Sequence, residues 1–328
     1  MKLSSIKPIG IVNSHKAAEE IDINWFLINA NEFELVPCPG CGSDTTEREF
    51  KKGVVSYLVC KICGCNYISP RPNASLLASF YKCSANYNLS ASELFKKTRQ
   101  SREKFLFEPR YDSFIANFGV NKRNGSLVDV GAGFGGFSSL LKKKGFENVF
   151  AIEPNIALEN ECALQGISTI CKPYEDVSLD HKVEAIFAFE VIEHLYSPNY
   201  FLNWCSKSLQ KGGFLFLTTP DISGFETTVL GESSDCFCHE HLNLFTSRGL
   251  QDLLRKHSFS IQNAWSSGDL DVQIVKRKLK SLSNRSAFLG DFLLQILASG
   301  TSEEVDLLQD YLKKSGKTSH VSVIAKKK

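Results

Sequence analysis

The chain has 328 residues, more than one ordinary small domain needs and enough for a catalytic domain with accessory pieces. Apolar residues make up 43% and charged residues 23%, which excludes wholesale disorder, and a formal net charge of +2 excludes a global field drawing the chain to a polyanion or membrane. No apolar run approaches the roughly 20 residues that span a bilayer, and the start MKLSSIKPIGIVNSHKAAEE lacks a signal peptide's apolar region, so a soluble, cytoplasmic protein is expected.

Residues 1–35 show mixed polarity without a clean period and read as an N-terminal extension, a short helix or strand dressing the next module. Residues 36–72 read as a small zinc ribbon. Cys38, Cys41, Cys60 and Cys63 give two CxxC pairs at a spacing where two tight turns present four thiolates to one tetrahedral ion. Gly42 and Gly64 follow the second cysteine of each pair, where such turns favour positive φ. Four protein ligands leave no open position, so the expected Zn2+ is structural and does not activate water. Cys65 is read as a spectator. The cysteine total of 11, in a reducing compartment, does not suggest a disulfide framework. Cys162, Cys171 and Cys205 fall in helix or strand patterns and read as small buried apolar residues.

Residues 73–120 read as a helical linker, in which Phe105, Phe107, Tyr111 and Phe114 recur at helical spacing and form a face for the following domain. From 121 to 265 short apolar runs (SLVDVG, NVFAIE, ISTIC, VEAIFAFE, GFLFLTTP) alternate with helix-length stretches. That pattern predicts buried parallel strands with crossover helices, an α/β doubly wound, mostly parallel sheet. In SPNYFLNWCSKSLQKGG, Ser197 is placed to cap a helix, Pro198 to begin it and Gly212 to end it. Thr246 caps a helix over 247–258, and FSIQNAW is a strand. Residues 319–328, SHVSVIAKKK, supply the last strand, leaving 266–318 as a helical insertion. It carries Lys276, Arg277, Lys278 and Lys280, then an apolar stripe of Phe288, Phe292 and Ile296 beside Leu289, Leu293 and Leu297. Two readings stand: a lid whose cations receive an acceptor's diphosphate, or a solvated basic face beside a helix that pairs two copies as a homodimer.

The segment VDVGAGFGG leaves a predicted strand and enters the helix GFSSLLKKKG. Gly131 and Gly133 let the backbone turn tightly and approach a ligand, and Glu153, ending the next strand, is placed to accept hydrogen bonds from a ribose diol. Gly131, Gly133 and Gly136 also satisfy GxGxxG, so the loop describes an adenosine-type cofactor without separating NAD from S-adenosylmethionine.

The succession VDVGAGFGG, AIEPN, FAFEVIEHLYSP and GGFLFLTTP resembles the ordered motifs of class I S-adenosylmethionine-dependent methyltransferases over roughly residues 105–262. The resemblance implies a seven-stranded, Rossmann-like sheet with a reversed last strand and S-adenosylmethionine as cofactor. It implies that Asp129 and the loop from Gly131 to Gly133 line the methionine part and that Glu153 holds the ribose. Glu175 or its neighbour Tyr174 would lie beside the adenine, with Glu190 and Val191 closing the site. CHEHLNLF matches the family's EHLxxF element after the fifth strand. The ribbon with NYISPRPNASLLASFYKCSANY resembles methyltransferases of cell-surface polysaccharide and deoxysugar biosynthesis. In the sugar C-methyltransferases among them tyrosines of this linker reach the active site, which makes Tyr81 and Tyr87 candidates. Those enzymes carry a sizeable further C-terminal domain, whereas the last strand finishes this sequence.

Methyl transfer from a sulfonium is an in-line displacement that needs an aligned acceptor and a group to take its proton. His239, Glu240 and His241 follow the fifth strand; if extended, the two histidines share one side and Glu240 faces the other. His241, with Glu240, is the candidate catalytic pair, His241 acting either as general base or as a buttress of the loop. Glu193 and His194 read as fixing the loop after the fourth strand. A second metal site from Cys236, Cys238, His239 and His241 is disfavoured by crowding. The expected function is methylation of a small-molecule acceptor, a sugar or nucleotide sugar, at oxygen or carbon. One alternative is an RNA methyltransferase gripping nucleic acid with its ribbon, opposed by the near-neutral charge and by Asp44, Glu47 and Glu49. The other is a non-catalytic ribbon scaffold with a vestigial cofactor site.

Overall fold

The computed structural model describes residues 12–89, 93–118, 124–279 and 299–328, together with Ser5 and Leu297. The N-terminal extension is a helix, α1 (Val12–Asn29). Its Phe26 is buried edge-on against Phe33 and Phe80, 5.7 and 5.1 Å away. The ribbon continues the chain as antiparallel strands β1 (Thr46–Lys52), β2 (Val55–Cys60) and β3 (Asn66–Ile68). Gly42 and Gly64 adopt φ of +82° and +71°, and their N–H groups donate to the carbonyls of Cys38 and Cys60, closing each cysteine turn.

The stretch after the ribbon is helical. Asn73 caps α2 (Ala74–Cys83) by accepting from the Leu76 N–H, and α3 (Ala85–Leu89) comes next. Then α4 (Phe95–Arg102) continues through a π-turn into α5 (Glu108–Phe118). Phe114 of α5 stacks on Phe118 and meets Phe187 of the sheet edge-on at 4.9 Å. Burying such a ring stabilises by roughly 2 kcal/mol, which anchors the linker across the sheet.

The catalytic-type domain runs β4 (Leu127–Val130), α6 (Gly136–Lys143), β5 (Val149–Ile152), α7 (Ile156–Ala163), β6 (Ser168–Ile170) and β7 (Val183–Phe189). It continues with α8 (Pro198–Ser208), β8 (Leu209–Pro220), α9 (Phe225–Leu230), β9 (Asn243–Leu244) and α10 (Ser247–Lys256). The last elements are β10 (Phe259–Ser266), α11 (Asp271–Leu279), α12 (Ser302–Lys314) and β11 (His320–Lys327). The seven-stranded sheet has the order β10-β11-β8-β7-β4-β5-β6, and β11 alone runs against its neighbours. Every residue of β4 is buried, because helices cover both faces; hence the nearly unbroken apolar run in sequence. Val130, Ile186, Leu215 and Phe201 pack on one face, Leu127, Phe137, Phe187 and Phe216 on the other.

Ser197 caps α8 by accepting from the Tyr200 N–H, Pro198 begins it, and Thr246 caps α10, all as expected. Gly212 does not end α8. The helix stops at Ser208, because pairing with β7 begins at once: Leu209 sits opposite Val183 and Phe214 opposite Ala185. Gly212, at φ +77°, belongs to the irregularity between those pairs.

The ribbon strands form a four-stranded sheet with β9, in the order β1-β2-β3-β9. Buried Arg71 donates to Asn243 Oδ1 at 2.8 Å and to the Tyr196 carbonyl at 2.7 Å, so ribbon and sheet are joined by backbone pairing and charge-assisted hydrogen bonds. Within the insertion, α11 and α12 pack on α9 through Val272, Val275, Leu230 and Val305. Lys280, Phe288, Leu289, Phe292, Leu293 and Ile296 lie outside the described residues; Leu297 is buried. No described helix is long and apolar enough to cross a membrane.

Candidate functional site

A cavity of about 1430 Å3 opens at the carboxyl ends of β4, β5 and β7, between the sheet edge and the linker helices. The strand order reverses between β4 and β7, which is where ligands of doubly wound sheets bind. Gly131 and Gly133 line it at φ of +65° and +57°. A Cβ on Gly131 would come within 2.6 Å of the Val191 side chain, so glycine is required there by space as well as by conformation. Asp129, next to last in β4, accepts from Ser138 Oγ at 2.7 Å and is raised by burial to about 6.

Glu153 lies under the cavity wall. Its Oε2 accepts from Gly133 N at 2.9 Å, and its Oε1 accepts from Asn155 N at 3.0 Å and from Tyr87 Oη at 2.9 Å. Burial raises this carboxyl to about 7 against the three hydrogen bonds, which favour its charged form. Tyr87 and Tyr81 both line the cavity with their rings 5.9 Å apart, edge to face. Tyr174 and Glu175 share a 3-10 turn on the wall, Tyr174 wedged edge-on against Phe201 at 5.0 Å.

Glu190 closes the wall at φ +56°, a strained conformation for a residue with a side chain. Three groups hold it. Its Oε1 accepts from Thr218 Oγ1 at 2.6 Å and lies 3.6 Å from Arg110, and its Oε2 lies 3.2 Å from His320 Nε2. Burial opposes ionisation of Glu190, yet His320 and Arg110 hold its carboxyl well below the usual range. His320 is likewise disfavoured as a cation by burial but carried to about 9 by Glu190. Arg110 and His320 escape sequence reading: one sits in an unremarkable helix and the other opens a strand remote in the chain.

The CHE part of CHEHLNLF is not extended; only Asn243 and Leu244 are, as β9. Residues 238–240 form a compact turn, held by Tyr57 Oη donating to the carbonyls of Cys238 and His241, and its side chains diverge. His239 is buried edge-on to Phe26 at 5.0 Å, its Nε2 without a hydrogen-bond partner and 3.7 Å from Glu240 Oε1. Glu240 lines the cavity and accepts from Asn86 Nδ2 at 3.1 Å. His241 is not on the wall. Its ring lies edge-on behind His194 at 4.9 Å, and His194 lines the cavity. Burial, with His241 nearby, lowers His194 to about 3, so it is neutral at ordinary pH. Glu193 accepts from Thr219 Oγ1 at 2.9 Å, fixing the loop as expected, and burial with neighbouring Glu190 raises it to about 8.

The sulfurs of Cys38, Cys41, Cys60 and Cys63 all lie within 4.8 Å of one another, the Cys38–Cys63 and Cys41–Cys60 pairs at 3.5 Å. Zinc–sulfur bonds of roughly 2.3 Å in a tetrahedron put sulfurs about 3.8 Å apart, so this donor set fits one ion. Cys162 and Cys205 are buried as expected, but Cys171 is exposed and lines the cavity, because β6 ends before it. Neither Cys236 nor Cys238 joins a group of potential metal donors among the described residues. Lys276, Arg277 and Lys278 do not line the cavity; Lys276 donates to the Gly300 carbonyl and Lys278 pairs with Asp235.

The family described as "Methyltransferase domain" matches residues 100–264. The ubiquinone biosynthesis O-methyltransferase of Caulobacter vibrioides is 32% identical over 101 residues, 29% of this chain and 40% of that protein. The mitochondrial protein of the same description from Dictyostelium discoideum is 23% identical over 112 residues, 29% of this chain and 35% of that protein. The chain thus spans two fifths or less of the length of these relatives. A solved structure, the complex of the Haloferax volcanii Trm112 methyltransferase activator with a methyltransferase, has a fold similar to 73% of this chain and 96% of its own. The TM-score is 0.50 and the identity 14%.

Glu153 gives a pH test. Its folded value lies above the ordinary 4.5, so the fold binds this proton more tightly than the unfolded chain. The resulting contribution is full below about 4.5 and is lost as pH rises to about 7. Urea unfolding of wild type and Glu153→Gln at pH 5 and pH 8 reads it: wild type should lose stability relative to the variant at the higher pH, and a constant difference would contradict the assignment.

Proposed function

The chain belongs to the methyltransferase domain family, and from that premise we propose that it moves the methyl group of S-adenosylmethionine to a small-molecule acceptor. The acceptor we favour is a sugar or nucleotide sugar, methylated at oxygen or carbon. The observation that carries this reading is the convergence of Asp129, Gly131 and Gly133 on one cavity at the sheet's switch point, with the Glu153 carboxyl directly behind that wall on the Gly133 N–H. S-adenosylmethionine supplies an electrophilic methyl group. Gly131 and Gly133 would admit its methionine end beside Asp129. Glu153 would take the ribose hydroxyls in place of the Tyr87 hydroxyl, and Tyr174 with Glu175 would flank the adenine. The far end of the cavity, walled by Tyr81, His194 and Glu240, would receive the acceptor.

On this reading Glu240 and neutral His194 are the cavity-facing groups able to take the acceptor's proton as its oxygen or carbon attacks the methyl. His241 would act through His194, as a group that orients and polarises it. The exposed charges of β1 are mixed in sign, Glu47 and Glu49 beside Arg48 and Lys51, so this strand offers no basic face to a polyanion, which supports a small acceptor. We also infer one structural Zn2+ in the ribbon, held by Cys38, Cys41, Cys60 and Cys63, which fixes the turns that carry β2 and β3.

Calorimetric titration with S-adenosylmethionine should show one saturable site, weakened at least about tenfold in Glu153→Ala. A folded protein giving no binding heat at about 1 mM ligand would sink the proposal. Elemental analysis should find about one zinc per chain, and Cys60→Ser should lower both zinc content and thermal stability, because metal binding is part of the ribbon's folding energy. Zinc content equal to wild type in that variant would count against the site.

A further inference from the structure

Behind the acceptor end of the cavity, Glu193, His194 and His241 each bring one donor atom within 4.8 Å of the other two. We propose that these three side chains form a site for a divalent first-row transition-metal ion, open on the cavity side through His194.

The hydrogen bonding orients both imidazoles. His194 Nδ1 lies 3.1 Å from the Glu240 carbonyl and His241 Nδ1 lies 2.7 Å from the Cys236 carbonyl. A carbonyl can only accept, so each Nδ1 carries a proton and Nε2 is the atom left for a metal, which would displace any proton that neighbouring Cys238 and Cys236 help to hold on His241. An outer hydrogen bond from one ring nitrogen to a backbone carbonyl is the arrangement that orients metal-bound histidines. Glu193 would supply the anion, its proton being displaced as the metal binds. Its Oε2 is occupied by Thr219, but its Oε1 is buried and has no hydrogen-bond partner, on a residue only 1% exposed. An orphaned buried carboxylate oxygen is costly unless a cation reaches it. Glu190 adds a second negative charge close enough to act electrostatically on both Glu193 and His194.

Two imidazoles and one carboxylate make a donor set of intermediate softness, suited to Mn2+, Fe2+, Co2+ or Zn2+ better than to Ca2+. Three protein ligands leave positions for exogenous oxygen. If the chain transfers methyl groups as proposed above, the ion would take the His194 lone pair and leave Glu240 to receive the proton, while it chelates paired oxygens of the acceptor and lowers the pKa of the hydroxyl to be methylated. The site itself stands without that reading.

Mn2+ is the probe of choice, because the four-thiolate ribbon selects softer ions. The full chain, carrying its resident zinc, would be titrated with Mn2+ and the free ion followed by electron paramagnetic resonance. About one Mn2+ per chain should be taken up, and Glu193→Gln and His194→Ala should each weaken uptake tenfold or more. Pulsed hyperfine spectra of the wild-type complex should show two imidazole nitrogens on the ion. That separates this site from the nearby group of Asp22, His239 and Glu240, which has a single imidazole. No saturable uptake by folded wild type at about 1 mM, a single coupled imidazole, or undiminished uptake in both variants would overturn the proposal. Loss of S-adenosylmethionine binding with Mn2+ uptake intact would refute the cofactor reading and leave this site in place.

Discussion

The site depends on a carboxylate buried without a counter-charge. Glu153 is sealed from solvent, and three hydrogen-bond donors stabilise it in place of a cation. Each donor belongs to a different piece of the chain: Gly133 to the glycine loop, Asn155 to the start of α7, Tyr87 to the linker. Removing a carboxylate from water costs several kcal/mol unless hydrogen bonds replace the hydration. The pieces are therefore held in register by the need to satisfy one side chain. A ribose diol offers the same chemistry as the Tyr87 hydroxyl, which makes the linker tyrosine a natural stand-in for a ligand.

The ribbon acts on the site through a second polar node. Asn243 of β9 accepts from Arg71 of the ribbon side and donates from Nδ2 to the Leu195 carbonyl at 2.6 Å, just past His194. Since β9 is also a strand of the ribbon's sheet, a change in the cysteine turns would be felt at the loop carrying Glu193 and His194. The fold thus gives the cysteine turns a route of influence on the cavity wall, through backbone pairing and a buried guanidinium.

Much of this was legible in the residues. The seven sheet strands follow from apolar runs whose length matches buried strands, and the caps at Ser197 and Thr246 are local chemistry that tertiary packing left intact. The glycine loop and Glu153 were readable because one backbone geometry demands those residue types. Gly212 shows the limit: its positive φ was readable, but whether it closed a helix or opened a strand depended on β7, which lies elsewhere in the chain. CHEHLNLF misled for a similar reason. Alternation predicts that His239 and His241 share a side, whereas a hydroxyl from Tyr57, far away in sequence, folds the segment into a turn that separates them. Arg110 and His320 were invisible, since their partner Glu190 is brought to them only by the sheet.

The central claim is that Glu153 exchanges the Tyr87 hydroxyl for the ribose of an S-adenosyl ligand. A crystal structure with S-adenosylhomocysteine tests it most directly. The account predicts both ribose hydroxyls within hydrogen-bonding distance of Glu153, with Tyr87 turned away from Oε1 and the homocysteine beside Gly131 and Asp129. Ligand bound elsewhere, with the Tyr87–Glu153 hydrogen bond intact at 2.9 Å, would contradict it.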